Sequence, residues 1–356
     1  MALREPEKLQ TMRAVVVDEF KPFDQLEIRE WPSPSPGPGE VKLKTQAIGV
    51  SFAESLLVSG QYQRKPPLPF VAGCEVSGVV METGPGADRF KPGDRVCGLI
   101  DWGSMAEETV AQQVSLHRFP DSMSHVEATC IPGSYSTTTA ALTWQNLLRL
   151  QAGEWLLVHG AAGGVGLAAV EIGKILGARV IATASSPKKL DLVRAHGADH
   201  AINYREQNFR DEVLAITDGR GVDAVYDPVG GEVFLQSLRC MAPEGRICPI
   251  GFAGGDMQRI PANLLLVKNL TVCGLNLGYY FGWSPDDVRH QHEDMMRALF
   301  GQIFDWHSEG RIKPTLSHVL PFSQFREALE IVLARQSRGR VALALDAEAR
   351  RLGIGE

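Results

Sequence analysis

A glycine-rich stretch near the middle of the chain, residues 159–166, has the spacing of a phosphate-binding turn. Gly163 and Gly164 keep side chains out of the space where a pyrophosphate would approach the backbone, and Gly166 allows the following helix to pack closely on a strand. The exposed N–H groups and the positive dipole of a helix start favour an anionic ligand. The stretch departs from the usual G-x-G-x-x-G pattern, because Ala161 stands at the first glycine position. These residues predict dinucleotide binding.

The residues on both sides of this turn predict one βαβ unit over residues 154–184. Apolar runs that are typical of strands begin at Leu156 and at Val180, and Gly177 ends the helix between them. The apolar face of that helix is formed by Val165, Ala168, Ala169, Ile172 and Ile175. Without this context, a glycine motif would indicate only a flexible loop.

The end of the second strand predicts which dinucleotide binds. An NAD-binding protein usually has Asp or Glu there for the ribose hydroxyls, but this chain has no acid before Asp191. Ser185 and Ser186 can donate hydrogen bonds to a 2′-phosphate, and Lys189 can neutralise its charge. The alternative is an ordinary Ser-Ser-Pro helix start with a solvated lysine pair. The missing acid favours NADP over NAD.

Composition indicates a soluble globular protein with no nucleic acid or membrane partner. The chain of 356 residues is long enough for two domains, with 44% hydrophobic and 22% charged residues. A net charge of −6 argues against a nucleic-acid-binding surface. The start, MALREPEKLQ, lacks a signal-peptide core, and no apolar stretch is long enough to span a bilayer. The six cysteines show no C-x-x-C spacing, which is typical of reduced cysteines in a cytoplasmic enzyme.

The order of predicted elements indicates an α/β protein with two kinds of domain. Residues 12–110 contain short strands separated by turns, which favours a small barrel. From about residue 123 the spacing becomes helical, and strands then alternate with helices to about residue 278, which is typical of a doubly wound parallel sheet. A long helix follows, PDDVRHQHEDMMRALFGQIFDWHSEG, and the chain ends as strand, helix and strand.

Eight stretches in the same order resemble the medium-chain dehydrogenase/reductase superfamily, and within it the zinc-independent NADPH:quinone oxidoreductase (zeta-crystallin-like) group. They are PPLPFVAGCEVSGVV, FKPGDRVCGL, LLVHGAAGGVGLAAVEIGKILGARVIATASS, GADHAINY, VDAVYDPVGGE, GRICPIGFAGG, NLLLVKNLTVCG and HVLPFSQFREALE. The resemblance implies a GroES-like β-barrel catalytic domain from residues 1–133 and 279–356. It also implies a Rossmann NADP-binding domain from residues 134–278, with substrate in the cleft between them.

The resemblance also implies site residues. Tyr62 is expected to face the nicotinamide end of the cleft and to donate a hydrogen bond to a carbonyl oxygen; the alternative is a loop tyrosine that only packs on substrate or lid. Ser51 and Glu54 stand where relatives commonly have Asn and Asp, and Ser51 is kept as a catalytic candidate. The expected cofactor-binding residues are Thr137, Ala162, Gly163, Gly164, Val165, Ser185, Ser186, Lys189, Tyr204, Gly251, Phe252, Asn276, Arg338 and Arg340. Among these, Tyr204 and either Arg338 or Arg340 would assist at the 2′-phosphate.

The metal-ligand positions of zinc-dependent relatives are occupied here by Ser51, Cys74 and Ser134. A catalytic zinc needs three Cys, His or carboxylate ligands. One thiol and two hydroxyls do not meet this need, so no metal site is predicted and Cys74 is interpreted as a small buried residue.

The predicted function is NADPH-dependent hydride transfer, without metal, to quinones or to the conjugated double bond of enones and enals. Two alternatives remain open at this point. One is a 2-enoyl thioester reductase, which would need a cationic or open channel for its carrier. The other is a non-enzymatic, redox-responsive NADPH-binding protein.

The sequence also predicts a homodimer joined through Rossmann edge strands. LLVKNLTVCGLNLG is interpreted as the last strand of the parallel sheet, with an apolar edge made of Leu270, Val272, Cys273, Leu275 and Leu277. Unpaired edge groups invite another chain, and isologous two-fold contacts are the commonest kind. Alternatively, the long helix after residue 284 covers this edge and leaves a monomer.

Overall fold

The computed structural model describes residues 10–354, so all but the last residue of the charged N-terminal stretch MALREPEKLQ lies outside the described residues. The first part of the chain forms strands of two mainly antiparallel sheets. These strands are β1 (Thr11–Val17), β2 (Glu27–Pro32), β3 (Glu40–Val50), β4 (Phe70–Val71), β5 (Glu75–Thr83), β6 (Arg95–Leu99), β7 (Glu108–Gln112) and β8 (Leu116–Arg118). In the smaller sheet β1 lies between β2 and β4, whereas β3, β5, β6 and β8 are successive neighbours in the larger one, with β7 also paired to β3.

Four helical elements belong to this part and to the connection that follows it. Helix α1 (Phe52–Val58) comes directly after β3, and a second group contains α2 (His125–Ala128), a π-helical turn (Ile131–Tyr135) and α3 (Ser136–Thr143). A capping box between Ser124 and Glu127 begins α2. The predicted helical stretch after residue 123 is therefore present, but it is divided into short pieces.

The middle of the chain forms the predicted doubly wound sheet. Its elements are β9 (Trp155–Val158), α4 (Gly164–Ile175), β10 (Arg179–Ala184), α5 (Pro187–Ala195), β11 (His200–Asn203), α6 (Phe209–Ile216), β12 (Val222–Asp227), α7 (Gly231–Arg239), β13 (Met241–Pro249), α8 (Ala262–Lys268) and β14 (Thr271–Val272). All neighbouring strands are parallel, in the order β11-β10-β9-β12-β13-β14. The order reverses between β9 and β12, where sheets of this type bind their ligands. The predicted fold class is confirmed.

The last strand was predicted wrongly over most of its length. Only Thr271–Val272 pairs with β13, and the apolar residues before it form α8, whose Leu266 and Val267 are 79% and 75% exposed. Short apolar runs fit a strand or a helix equally well in sequence. Here Asn269, in the left-handed conformation with φ 53°, ends the helix just before the chain joins the sheet.

The end of the chain returns to the N-terminal sheet. After 3₁₀ turns at Leu277–Phe281 and Arg289–His292 come α9 (Glu293–Ser308), β15 (Leu316–Pro321), α10 (Phe325–Leu333), β16 (Arg340–Ala344) and the unpredicted α11 (Asp346–Arg351). Strand β16 pairs in parallel with β15 and antiparallel with β3, which completes the larger sheet. The domain boundaries at residues 133/134 and 278/279 stay a prediction.

The main apolar core is shared by both parts of the chain. Side chains of β3, α3, α4, β9 and α9 pack in one cluster, while a second cluster fills the space between the other face of the parallel sheet and α6 and α7. Helix α9 packs against α3. No helix within residues 10–354 is both long and apolar enough to cross a bilayer.

Candidate active site

The glycine-rich turn connects β9 to α4 and leaves the helix start open. Gly163 is the N-cap residue of α4, and within the described chain no side chain caps this end. A methyl group built on Gly166 would lie 2.6 Å from the Cα of Ala161, so the helix approaches the turn as closely as the sequence predicted. The backbone of Ala162, Gly163, Gly164 and Val165 therefore surrounds a free helix N-terminus, which suits a pyrophosphate.

The end of the chain holds this turn in place. The Gly339 N–H donates to the Ala162 carbonyl at 2.8 Å, and Gly339 forms an isolated parallel bridge with Gly163. Next to it, the Cγ and Cδ methylenes of Arg340 pack against Gly164, and its guanidinium forms a buried ion pair with Glu75 at 2.5 Å.

Two buried donors beside Gly164 have no hydrogen-bond partner within residues 10–354. They are Nε of Arg340 and Oγ of Ser134, and a methyl group built on Gly164 would lie 2.9 Å from that oxygen. Buried polar groups without a partner are rare and call for an explanation. A phosphate at the helix start would accept from such donors, so this region fits the diphosphate of a dinucleotide. Arg340 thus lies at the glycine turn, whereas the sequence analysis expects either Arg338 or Arg340 at the 2′-phosphate.

The end of β10 carries a cluster of positive charge. Lys189 is half-buried in α5 and its ammonium donates to the Arg335 carbonyl at 2.8 Å. Burial lowers the pKa of Lys189, and the charges of Arg205, Arg338 and Arg335 lower it further. Asp191, the nearest acid in sequence, is paired with the guanidinium of Arg194 at 3.2 Å. Among residues 10–354, no carboxylate forms an ion pair with Lys189, Arg205, Arg335 or Arg338, and such a group of cations suits a dianionic ligand.

The two predicted serines and Tyr204 belong to the same end of the sheet. Ser185 and Ser186 are half-buried, and the hydroxyl of Ser186 caps no backbone group of α5 within the described residues. Tyr204 is 46% exposed and its N–H donates to the Ala184 carbonyl, directly before the serines. The sequence reasoning missed Arg205 and Arg335. Arg205 follows Tyr204 and could have been noticed, whereas only the fold brings residue 335 to this position.

The remaining cofactor candidates also lie at the carboxyl edge of the parallel sheet or beside it. Gly251 and Phe252 follow β13, and Phe252 is 41% exposed. Asn276 is exposed after β14. Thr137 is half-buried in α3, and the hydroxyl of its neighbour Thr138 donates to the Val165 carbonyl at 3.2 Å, which ties α3 to the glycine turn.

The catalytic candidates come from the end of β3 and the segment after α1. Ser51 is half-buried at the N-cap of α1, and its hydroxyl caps no backbone group within the described chain. Tyr62 follows α1, and its N–H donates to the Leu56 carbonyl at 3.0 Å. Burial raises the pKa of Tyr62 to about 12, with smaller contributions from Cys74 and Glu54. The phenol therefore stays protonated at neutral pH and can donate a hydrogen bond.

A buried acid lies behind these residues. Glu54 accepts from the Gly73 N–H at 3.1 Å, and burial, followed by the charge of Glu75, raises the pKa of its carboxyl group to about 7. The thiol of Cys74 lies close to Glu54, and burial, followed by the charge of Glu54, raises the pKa of this thiol well above its ordinary value. Cys74 is therefore a protonated, buried side chain at neutral pH, and its thiolate, the form that would bind a metal, is disfavoured.

An aromatic and cationic cluster lies beside Tyr62. The rings of Tyr62 and Trp283 meet edge-to-face, with centroids 6.2 Å apart. The Arg64 guanidinium lies 4.9 Å from the ring centroid of Trp102 and 5.9 Å from that of Trp283. Asp101 pairs with Arg64 at 2.6 Å.

A second arginine joins this cluster to the segment before α9. Both terminal guanidinium nitrogens, Nη1 and Nη2, of the buried Arg289 donate to the Asp101 carboxylate at 3.0 Å. The segment after α1 is thereby fixed to the residues that follow the parallel sheet. Nothing local in the sequence marked Trp283 or Arg64 as members of a site.

The predicted metal-ligand positions have separate environments. Cys74 lies beside Glu54 and its thiol donates to the Asp101 carbonyl at 3.5 Å, whereas Ser134 lies at the glycine turn. Within residues 10–354, no group of three His, Cys, Asp or Glu side chains has the arrangement of a metal site.

Comparison with known proteins covers almost the whole chain. Two family models match: the alcohol dehydrogenase GroES-like domain at residues 37–150 and the zinc-binding dehydrogenase at residues 164–297. The chain is 39% identical to quinone oxidoreductase-like protein 2 of Rattus norvegicus over 338 residues, which cover 94% of this chain and 92% of the relative.

Solved structures of quinone oxidoreductases also superpose on this chain. The quinone oxidoreductase of Pseudomonas syringae pv. Tomato DC3000 superposes with a TM-score of 0.85 at 30% identity, covering 94% of this chain and 99% of that one. The Escherichia coli quinone oxidoreductase, described as complexed with NADPH, superposes with a TM-score of 0.84 at 26% identity. The superposition covers 93% of this chain and 99% of that one. These similarities confirm the predicted family: the chain belongs to the medium-chain dehydrogenase/reductase superfamily and, within it, to the quinone oxidoreductase group.

Proposed function

We propose that this protein is an NADPH-dependent oxidoreductase that reduces quinones, or the conjugated double bond of enones and enals, without a metal. The observation that carries the proposal is the position of Tyr62. Trp283 contacts the ring of Tyr62 and, like Asn276, lies beside Gly278, in the segment that follows β14. A protonated phenol therefore lies next to the carboxyl edge of the parallel sheet, where a dinucleotide would bind.

The cofactor assignment rests on two features at opposite ends of the proposed nucleotide. The free helix start at Gly164, with donors from Ser134 and Arg340, suits the diphosphate. The cations around Lys189 suit a 2′-phosphate. When bound, NADPH supplies a hydride from C4 of its nicotinamide. A similar chain, the Escherichia coli quinone oxidoreductase, is described as complexed with NADPH.

The chain's own chemistry in the reaction is hydrogen bonding and exclusion of water. Quinones and enones both present an electron-poor conjugated carbonyl, whose oxygen gains negative charge as hydride is added. The protonated hydroxyl of Tyr62 can donate to that oxygen, and donors aimed at developing charge lower the barrier. Ser51, at the start of the helix that precedes Tyr62, supplies a further hydroxyl that caps no backbone group within the described residues.

Metal independence is part of the proposal and follows from donor chemistry. Ser51 and Ser134 offer only hydroxyls, and burial keeps the Cys74 thiol protonated. Such groups do not make the three-ligand set of a catalytic zinc. Dialysis against a chelator, followed by elemental analysis, should leave activity intact and find no stoichiometric zinc; a tightly held zinc whose removal abolished turnover would contradict this reasoning.

We further propose a homodimer joined at β14. Within residues 10–354 no strand covers the outer side of β14, and α9 packs against α3 rather than over this edge. The neighbouring α8 exposes Leu266 and Val267, which a second copy of the same edge would bury. All six cysteines are free and buried, which supports a reducing, cytoplasmic compartment.

Turnover with a chosen substrate panel tests the proposed function. NADPH oxidation should be followed with 1,4-benzoquinone, 1,2-naphthoquinone, methyl vinyl ketone, 2-hexenal and crotonyl-coenzyme A. We expect turnover with quinones, enones or enals and little with the thioester. Turnover with the thioester alone would favour enoyl thioester reduction. Binding of NADPH without turnover of any acceptor would favour a non-enzymatic, redox-responsive protein.

A further inference from the structure

Trp283 carries a hydrogen-bond donor that the protein itself does not use. Its Nε1 is buried and has no partner within the described residues 10–354. An indole N–H can only donate, and leaving such a donor buried without an acceptor costs folding free energy. A buried donor of this kind at a site marks a position for an acceptor that comes from outside the chain.

One long edge of the indole ring rests on the 3₁₀ turn Leu277–Phe281. A methyl group built on Gly278 would lie 2.7 Å from Cε3 and 3.1 Å from Cδ2 of Trp283, so this long edge of the ring rests on the backbone. Nε1 belongs to the opposite long edge. Arg64, held by Asp101 at 2.6 Å, packs 5.9 Å from the ring centroid and restrains the indole further.

Tyr62 supplies a second free donor at the same place. Its ring meets Trp283 at an interplanar angle of 86°, and its hydroxyl makes no hydrogen bond to residues 10–354. One donor belongs to the segment after α1 and the other to the segment after the parallel sheet. The contact between the two rings therefore joins two segments that are distant in sequence.

The surroundings offer room for a single flat ring. A cavity of about 190 Å³ adjoins Asn276 and is lined by Leu275, Tyr279 and Tyr280 together with Asn146 and other residues. An apolar cavity of about 150 Å³ is large enough to bind benzene. Trp283 and Tyr62 do not line this cavity, but Asn276 does, and Asn276 and the Trp283 ring both lie beside Gly278. The cavity is therefore next to the turn on which Trp283 rests.

We propose that Trp283 is a catalytic residue that contacts the substrate: its Nε1–H, together with the hydroxyl of Tyr62, donates to the carbonyl oxygen of a quinone or enone. This inference rests on the proposed function and adds to it the group that recognises the substrate oxygen. Donors that are fixed before the reaction begins stabilise charge without reorganisation.

The step balances without transfer of the indole proton. A hydride supplied by the nucleotide forms a new C–H bond on the substrate while the C4–H bond of the nicotinamide breaks. The displaced π-electron pair ends on the carbonyl oxygen, which accepts the two hydrogen bonds. A proton from water then gives the enol, which tautomerises to the hydroquinone in the case of a quinone or to the saturated ketone in the case of an enone.

Trp283→Phe is the direct test, because phenylalanine keeps an aromatic ring beside Tyr62 and removes the N–H together with part of the indole ring. We expect a loss of about ten- to a hundredfold in kcat/KM for the carbonyl acceptor, with the KM for NADPH unchanged. Trp155→Phe is the matched control: this indole lies at the start of β9, stacked with Arg179, and the variant should stay within twofold of wild type. Full activity of Trp283→Phe would overturn the proposal.

Indole NMR on the ¹⁵N-labelled wild-type protein tests the contact without turnover. The chain has six tryptophans, and the N–H signal absent from Trp283→Phe identifies Trp283. With NADP⁺ and 2-methyl-1,4-naphthoquinone, which cannot react because the nucleotide is oxidised, this signal should move downfield. An unmoved signal at saturating quinone refutes the contact, even if the wild type proves active. If the wild type reduces no acceptor, the proposed function fails, and the NMR titration still decides whether Trp283 binds the carbonyl.

Discussion

Lys189 offers a sharp test of the cofactor assignment, because its ammonium lies among three guanidinium groups. We predict that Lys189→Ala weakens NADPH binding and leaves NADH binding within twofold of wild type. A hydrogen bond between charged groups contributes about 1.5–3 kcal/mol, which corresponds to roughly 10- to 150-fold in Kd. Since Arg205, Arg335 and Arg338 remain and Lys189 is only half-buried, we expect the lower end, about tenfold.

Titration of both nucleotides by calorimetry or nicotinamide fluorescence measures this effect. The wild type should bind NADPH at least about tenfold more tightly than NADH, and added salt should reduce the difference by screening the phosphate. Lys188→Ala is the matched control, since this neighbouring lysine is exposed. It carries the same charge but should change neither affinity appreciably.

The variant also loses the hydrogen bond from Lys189 to the Arg335 carbonyl, at 2.8 Å. NADH reports on any resulting displacement of the backbone, because it lacks the 2′-phosphate but would contact the same surface. Equal losses for NADPH and NADH, or an equal effect of Lys188→Ala, would refute the assignment of a 2′-phosphate site.

Three further predictions concern assembly and stability. Light scattering should give twice the 38.9 kDa chain mass, and Val272→Pro, which removes an edge N–H, should give the monomer; a wild-type mass near 39 kDa would contradict the dimer. In urea denaturation, Arg340→Leu should lower the free energy of unfolding by about 3–5 kcal/mol because Glu75 stays buried and unpaired, whereas Arg118→Ala at an exposed pair should cost about 1 kcal/mol or less. The raised pKa of Glu54, about 7 in the folded protein against 4.5 for the unfolded chain, means that the folded state binds more protons between these values. The free energy of unfolding should therefore fall by about 3 kcal/mol as pH rises from 4.5 to 7, and Glu54→Gln should remove this slope; parallel curves for both proteins would contradict the assignment.

Structural features that depend only on residues close together in the sequence were predicted well. The turn at Gly163 and Gly164, the start of α4 and its buried face depend on neighbours within one βαβ unit, so spacing alone identifies them. The prediction of the last strand of the sheet was wrong for the opposite reason. Its apolar residues carry no clear period, and the left-handed Asn269 decides where helix gives way to strand.

Groups that meet through long-range contacts could not be predicted. Arg335 reaches Lys189 from 146 residues away, and Arg340 reaches Glu75 from 265 residues away. Their positions depend on β16 pairing with β3, which no local pattern encodes. Trp283 is similar, since its importance comes from an unpaired N–H that exists only once the chain has folded.

The six residues 335–340 contact three regions that are distant in sequence. The Arg335 carbonyl binds Lys189, the Gly339 N–H binds the glycine turn, and Arg340 pairs with Glu75. This hexapeptide is therefore a natural unit for exchange between homologous enzymes. Under the proposed function, changes at positions 335 and 338 would alter nucleotide preference. Positions 339 and 340 would keep their contacts with the glycine turn and with Glu75. Cofactor preference can then diverge, in evolution or by design, without any change to the glycine turn.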